Sequence, residues 1–143
     1  MKRFLLFATA LLGLVACEEV VENNVIWDKP YIAFDEESIS IDAKGTEELI
    51  IPLTSTGVDD VMVVMDDKYD IESSSGDLIP REAWVEVVKV INEYDNPTRA
   101  LPKWDSAIVV RVKSNDTGKV RKATISAVSF TLSDSIALEQ LAE

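Results

Sequence analysis

The chain has 143 residues, with 26 acidic against 14 basic side chains, a formal net charge of −12 and 47% hydrophobic residues. This is one domain's worth of chain, too apolar for a disordered tail. The charge argues against a nucleic-acid surface, which must neutralise phosphates. The absence of histidine removes Ser-His-Asp and Cys-His activation, His-containing zinc sites and imidazole bases.

Lys2 and Arg3 open the chain, and a short apolar run, Phe4 to Ala16, follows. A basic start, a brief apolar stretch and small residues before a junction make a secretory signal peptide, too short to span a bilayer comfortably. The junction Leu14-Val15-Ala16-Cys17 ends on the chain's single cysteine. It resembles the bacterial lipobox, and that resemblance implies a cleaved leader over 1–16 and a diacylated Cys17. Acylation accounts for an otherwise unpaired thiol. At about 0.8 kcal/mol per buried methylene, two or three acyl chains anchor stably where one does not.

Residues 17–28 read as a lipidated cysteine and an acidic tether, carrying Glu18, Glu19 and Glu22 and reaching about 35 Å when extended. The acids just after the cysteine resemble the export signal of Bacteroidetes surface lipoproteins, which implies an outer-membrane location, at the cell surface or on the periplasmic face.

From Tyr31 on, short alternating runs bounded by turn formers predict strands with one buried face. Tyr31–Phe34 and Ser38–Ile41 come first, and Lys44-Gly45 supplies a turn. Glu48–Leu53 follows, with Leu49, Ile51 and Leu53 on one face; Pro52 within it points to an edge strand. Val61–Met65 is next, then a loop at Ser73–Asp77. Trp84–Val90 is strongly β-prone, with Trp84 expected in the core. Asn92 to Asp105 lacks periodicity and reads as a long loop, of the kind that tends to be functional or disordered. Ile108–Val112, a turn at Asn115–Gly118 and Arg121–Ser129 read as a hairpin. Ser133-Asp134 precedes a last strand, Ile136–Gln140. Seven or eight strands and no helical spacing predict an all-β sandwich over 29–143.

Val112-Lys113-Ser114-Asn115-Asp116-Thr117-Gly118, then Arg121-Lys122-Ala123-Thr124-Ile125, then Ile136 to Gln140, resemble the end of a BACON domain. The resemblance covers about thirty residues well and implies an immunoglobulin-like antiparallel sandwich in a Bacteroidetes envelope.

Glycan-binding surfaces pair an exposed aromatic platform with polar side chains. Tyr94 and Trp104 flank the long loop, with Asn92, Asn96 and Arg99 beside them, and Tyr69 lies in another predicted loop. These six form the candidate ligand site. The alternative reading has the rings packing over the sandwich end. The acids at Asp59-Asp60 and Asp66 to Asp70 do not match a calcium loop and read as solvated. No carboxylate pair stands out for hydrolysis, so no catalysis, metal or cofactor is expected. Asp105-Ser106-Ala107 and Asp134-Ser135-Ile136 resemble the acceptor of Bacteroidetes O-glycosylation, which implies Ser106 or Ser135 as a modified residue. The expected role is a membrane-anchored, non-enzymatic lipoprotein binding a glycan or an envelope partner. The alternative is an accessory subunit of an outer-membrane complex, docking through an edge strand near Glu48–Ser55.

Overall fold

A computed structural model describes residues 30–72, 77–94 and 105–143. Ten strands follow in order: β1 (Ile32–Phe34), β2 (Ser38–Ile41), β3 (Thr46–Ser55), β4 (Asp60–Met65), β5 (Tyr69–Glu72), β6 (Asp77–Pro80), β7 (Val85–Ile91), β8 (Asp105–Val112), β9 (Arg121–Ser129) and β10 (Leu132–Gln140). They build a sandwich of two four-stranded sheets, β1-β3-β8-β7 and β2-β10-β9-β4, with a separate β5-β6 hairpin. The expected all-β class is what forms.

Period-two alternation places the core between the sheets. Ile51, Leu53, Val85, Ile108, Val110 and Val112 from the first sheet meet Ala123, Ile125, Ala127, Ile136 and Leu138 from the second. Each fully buried aliphatic of this size contributes roughly 1.5–3 kcal/mol of transfer free energy. Trp84 joins them at 2% exposure, as its β-prone setting predicts.

Four expectations about connectivity change. First, β8 and β9 do not form a hairpin, because they lie in different sheets. Both alternate correctly, but their inward faces look at one another across the core, and the Asn115 turn carries the chain from one sheet to the other. Second, β3 is not an edge strand, since β1 and β8 flank it. Pro52 is tolerated because β1 is short. Its last pair is Phe34 with Leu53, so the sheet opens at the residue that lacks an N–H. Third, β10 pairs β2 in parallel, Ala137 with Ser38 through Gln140 with Ile41, so the sandwich is not wholly antiparallel. Fourth, β10 begins at Leu132 rather than after Asp134, directly across a two-residue turn from Ser129.

The strand directions define two ends. β3 finishes, and β4, β8 and β10 begin, at the end where the N-terminal segment enters. Tyr31 is fixed there by Thr56, whose N–H donates to Tyr31 O at 2.9 Å and whose Oγ1 accepts the Tyr31 N–H at 3.1 Å. The chain leaves from the opposite end, where Leu141 N–H donates to Ile41 O at 2.9 Å. Gly45 closes the β2–β3 turn at that far end with φ of 73°, a left-handed conformation glycine adopts freely.

Candidate functional site

Among the described residues, a dense set of interacting polar side chains lies at the far end, opposite the N-terminal entry. It begins with a parity conflict. Arg121 and Gln140 are in phase with the buried positions of β9 and β10, so both point inward, where an unpaired polar group is costly. They pair with each other. Arg121 Nε and Nη2 donate to Gln140 Oε1 at 3.0 and 2.8 Å. Nη2 also donates to the carbonyls of Lys113 at 3.1 Å and Ser114 at 2.7 Å. Gln140 Nε2 donates onward to the carbonyls of Asp42, Ala43 and Lys113. Burial pushes the Arg121 pKa down, but a guanidinium keeps its proton in proteins. Its charged face lies over the Trp84 ring, 4.5 Å from the centroid.

Asn115, fully buried, holds the loop between β8 and β9. Its Nδ2 donates to Lys119 O at 2.7 Å and Leu141 O at 2.9 Å, and its Oδ1 accepts from Thr117 Oγ1 at 2.6 Å. On the other side, Trp84 Nε1 donates to Asp67 Oδ1 at 2.7 Å. Arg81 grips Asp70 through both Nε and Nη2 at 2.6 Å and reaches Asp67 Oδ2 through Nη1 at 3.2 Å. The hydrogen bond that Arg81 donates to Asp70 leads the causes that raise the Arg81 pKa.

Between these supports lies a cleft of about 250 Å³, lined by Tyr69, Asp70, Arg81, Thr117, Lys119 and Arg121. A second hollow of about 480 Å³ shares Arg81, Thr117 and Arg121 and extends over Trp84, Lys113 and Asp116. Tyr69 is the aromatic of the first cleft, 46% exposed, with Lys68 Nζ 5.1 Å from its ring centroid. Asp67 and Asp70 are both engaged by Arg81 in one ion-pair network. Among the described residues no group of three or more His, Cys, Asp or Glu side chains could hold a metal ion.

Of the six residues proposed from sequence, the three that are described do not converge. Tyr69 lines the far cleft. Asn92 stands at the opposite end, where its Oδ1 accepts the Val58 N–H at 2.7 Å and its Nδ2 donates to Val58 O at 3.4 Å, so it fastens the β3–β4 connection to the end of β7. Tyr94, half-buried, follows it there. At about 3.3 Å per residue along β4, the two ends are roughly 20–30 Å apart. Asn96, Arg99, Trp104 and Cys17 lie outside the described residues. Ser106 is fully buried, and its Oγ lies 2.7 Å from Ser55 Oγ, so the folded domain does not present it for glycosylation. Ser135 is exposed on β10, with its Oγ 2.8 Å from Ser126 Oγ. Asp59 accepts the Phe130 N–H from across the sheet, and Asp60 accepts the N–H of its neighbour Val61.

Sequence reading missed Arg81, Arg121, Gln140 and Asn115 as a unit. The available signal was a charged residue and an amide in register with apolar inward positions. Arg121 and Gln140 are thus one buried pair.

No family model matches the chain, and no curated protein matches it. Among solved structures it resembles a Bacteroides ovatus GH5 xyloglucanase in complex with a XXXG heptasaccharide, at 16% identity and a TM-score of 0.45, over 80% of this chain. The chain spans 19% of that enzyme's length. It also resembles a protein from Bacteroides thetaiotaomicron studied by NMR, at 12% identity and a TM-score of 0.39, over 82% of this chain and 86% of that one. Likeness at this level transfers no activity, and the functional reading rests on the chain's own residues.

Proposed function

We propose that the chain is a lipid-anchored, non-enzymatic lipoprotein of a Bacteroidetes-type outer membrane, with a BACON-like sandwich that binds a glycan or an envelope protein at the Tyr69–Arg81 cleft. The lipobox-like Leu14-Val15-Ala16-Cys17 supports the anchor. The observation that carries the binding reading is the opposition of the two ends: the N-terminal segment enters at one, and the polar cleft lies at the other. A tether attached at Cys17 then presents the cleft away from the lipid. An exposed tyrosine face, a threonine hydroxyl, an ammonium and a carboxylate side by side suit a ligand dense in hydroxyl groups.

The test is retention of the mature chain on immobilised envelope polysaccharides, compared with Tyr69→Ala and Lys119→Ala. Each substitution should weaken retention about tenfold, as expected for losing one aromatic contact or one charge-assisted hydrogen bond. Equal retention of all three proteins refutes the cleft. Cys17→Ala should move the protein from the membrane to the soluble fraction.

An accessory role has its own supporting observation. The docking edge expected at Glu48–Ser55 is interior, but among the described residues β4 is an edge strand, and its outward Met62 and Val64 are 53% and 56% exposed. Co-purification of a stoichiometric partner, abolished by Val64→Lys and indifferent to Tyr69→Ala, would select this role.

A further inference from the structure

The β9–β10 turn is built against local preference. Ser129 pairs with Leu132, so the turn consists of Phe130 and Thr131 alone. Phe130 takes φ of 54°, a region that suits glycine or asparagine and strains a bulky side chain. Its ring is 73% exposed, the most exposed large hydrophobic among the described residues. The strained backbone is held by Asp59, whose Oδ2 accepts the Phe130 N–H at 2.7 Å. Asp59 is itself tied by its N–H to Val128 O at 2.8 Å. A turn that keeps an aromatic in a costly conformation and offers its ring to water gains no stability from it. Strain of this kind points to function.

The surroundings narrow that function. Leu132 is 40% and Tyr31 49% exposed at the same end. Thr56 joins Tyr31 to the turn: its Oγ1 accepts the Tyr31 N–H and lies 3.4 Å from Ser129 Oγ. Tyr31 is also where the chain arrives from Cys17. The apolar tip therefore lies at the end of the domain where the described chain begins.

We infer that the β9–β10 turn, with Phe130 at its tip and Leu132 and Tyr31 beside it, rests in the lipid interface next to the anchor. The inference depends on the lipid-anchor reading of Cys17. The charged side chains with bonds at this end, among the described residues, include Asp59, Asp60 and Asp134, all acidic, so the contact is taken as apolar and the surface it fits as zwitterionic rather than anionic. It gives the domain an orientation as well as a tether: the ring contact holds the N-terminal end down and the Tyr69–Arg81 cleft outward. Aromatic side chains favour this headgroup layer.

Hydroxyl-radical footprinting of the wild-type lipidated chain on phosphatidylcholine vesicles, against the Cys17→Ala chain in solution, tests this without altering the turn. Oxidation of Phe130, Leu132 and Tyr31 should fall several-fold on the vesicles, while oxidation of Tyr69 at the other end stays unchanged. Raising the salt concentration should not restore oxidation at Phe130. If the lipidated chain floats with the vesicles and Phe130 is oxidised as fast as in solution, the tip does not touch lipid and the inference fails, while the anchor stands. If the chain does not float, the anchor reading fails and takes the inference with it.

Discussion

Arg121 and Trp84 meet across the far end of the sandwich, guanidinium over indole at 4.5 Å, with Gln140 filling the arginine's other side. The contact joins the first strand of the closing β9–β10 pair to the residue just before β7. Through Trp84 Nε1 and Asp67 it continues to the turn after β4, and both sheets are thereby pinned beneath the cleft.

Arg121→Lys should destabilise the domain by about 2–3 kcal/mol in denaturant unfolding. A lysine cannot fill a fork that serves the Gln140 amide and two carbonyls at once, and buried acceptors left unpaired cost about 1–3 kcal/mol. The double variant Arg121→Met/Gln140→Leu should lose less than the sum of the single losses, because it removes both halves of the pair. Additive losses would mean the two residues act independently.

Gly45→Ala should cost more than about 2 kcal/mol. A Cβ there overlaps the Val112 carbonyl oxygen and crowds the carbonyl of Lys113, and the φ of 73° is unfavourable for alanine by roughly 1–2 kcal/mol alone. Gly118→Ala, at φ of 69° with no atom within 4 Å of the added Cβ, should cost only the conformational part. Thermal unfolding of the two variants side by side measures the difference.

Phe130→Gly should stabilise the fold by about 0.5–1 kcal/mol. Relief of the left-handed strain contributes roughly 1–2 kcal/mol, and the greater chain entropy of glycine takes back about 0.5–1. The exposed ring has little packing to lose. A fall in melting temperature would show that the ring supports the turn.

The Glu82–Lys113 ion pair sets a pH window. Lys113 Nζ donates to Glu82 Oε1 at 2.7 Å, and that hydrogen bond leads the causes holding the Glu82 carboxyl below its ordinary range and the Lys113 ammonium above its own. With the glutamate pKa depressed in the folded state, its contribution is full above the ordinary carboxylate range and fades as the pH falls through the folded value. With the lysine pKa raised, its contribution is full below the ordinary lysine value and fades as the pH rises through the folded one. The stability difference between wild type and Glu82→Gln should therefore be flat from about pH 5 to pH 10 and vanish in stronger acid. Both groups are exposed, so the difference is small.

Local rules read the strands well, because alternation is a property of neighbouring residues. The inward parity of Ile108, Val110 and Val112, of Ala123, Ile125 and Ala127, and of Ile136 and Leu138 is written in the chain, and all eight are buried. The β5–β6 hairpin was missed because its strands, Tyr69–Glu72 and Asp77–Pro80, border the Ser73–Asp77 turn formers and fall within a stretch that reads as loop. Of the candidate site's described residues, Tyr69 lines the cleft at one end, and Asn92 and Tyr94 lie at the other. A site is a matter of which ends of which strands meet, and local pattern carries no information on that.

The sequence by itself determined an all-β domain, its inward faces, a chemistry without histidine or a second thiol, and a lipobox-like start. Tertiary structure decided the rest. The two strands flanking Asn115 could have closed a hairpin or crossed between sheets. They cross, because Asn115 is buried and bonded to Lys119 O and Leu141 O, and because Arg121, pointing inward, finds its acceptors in Gln140 and in the carbonyls that end β8. Burial demanded partners for one arginine and two amides, and meeting that demand placed the cleft at the end opposite the chain's entry.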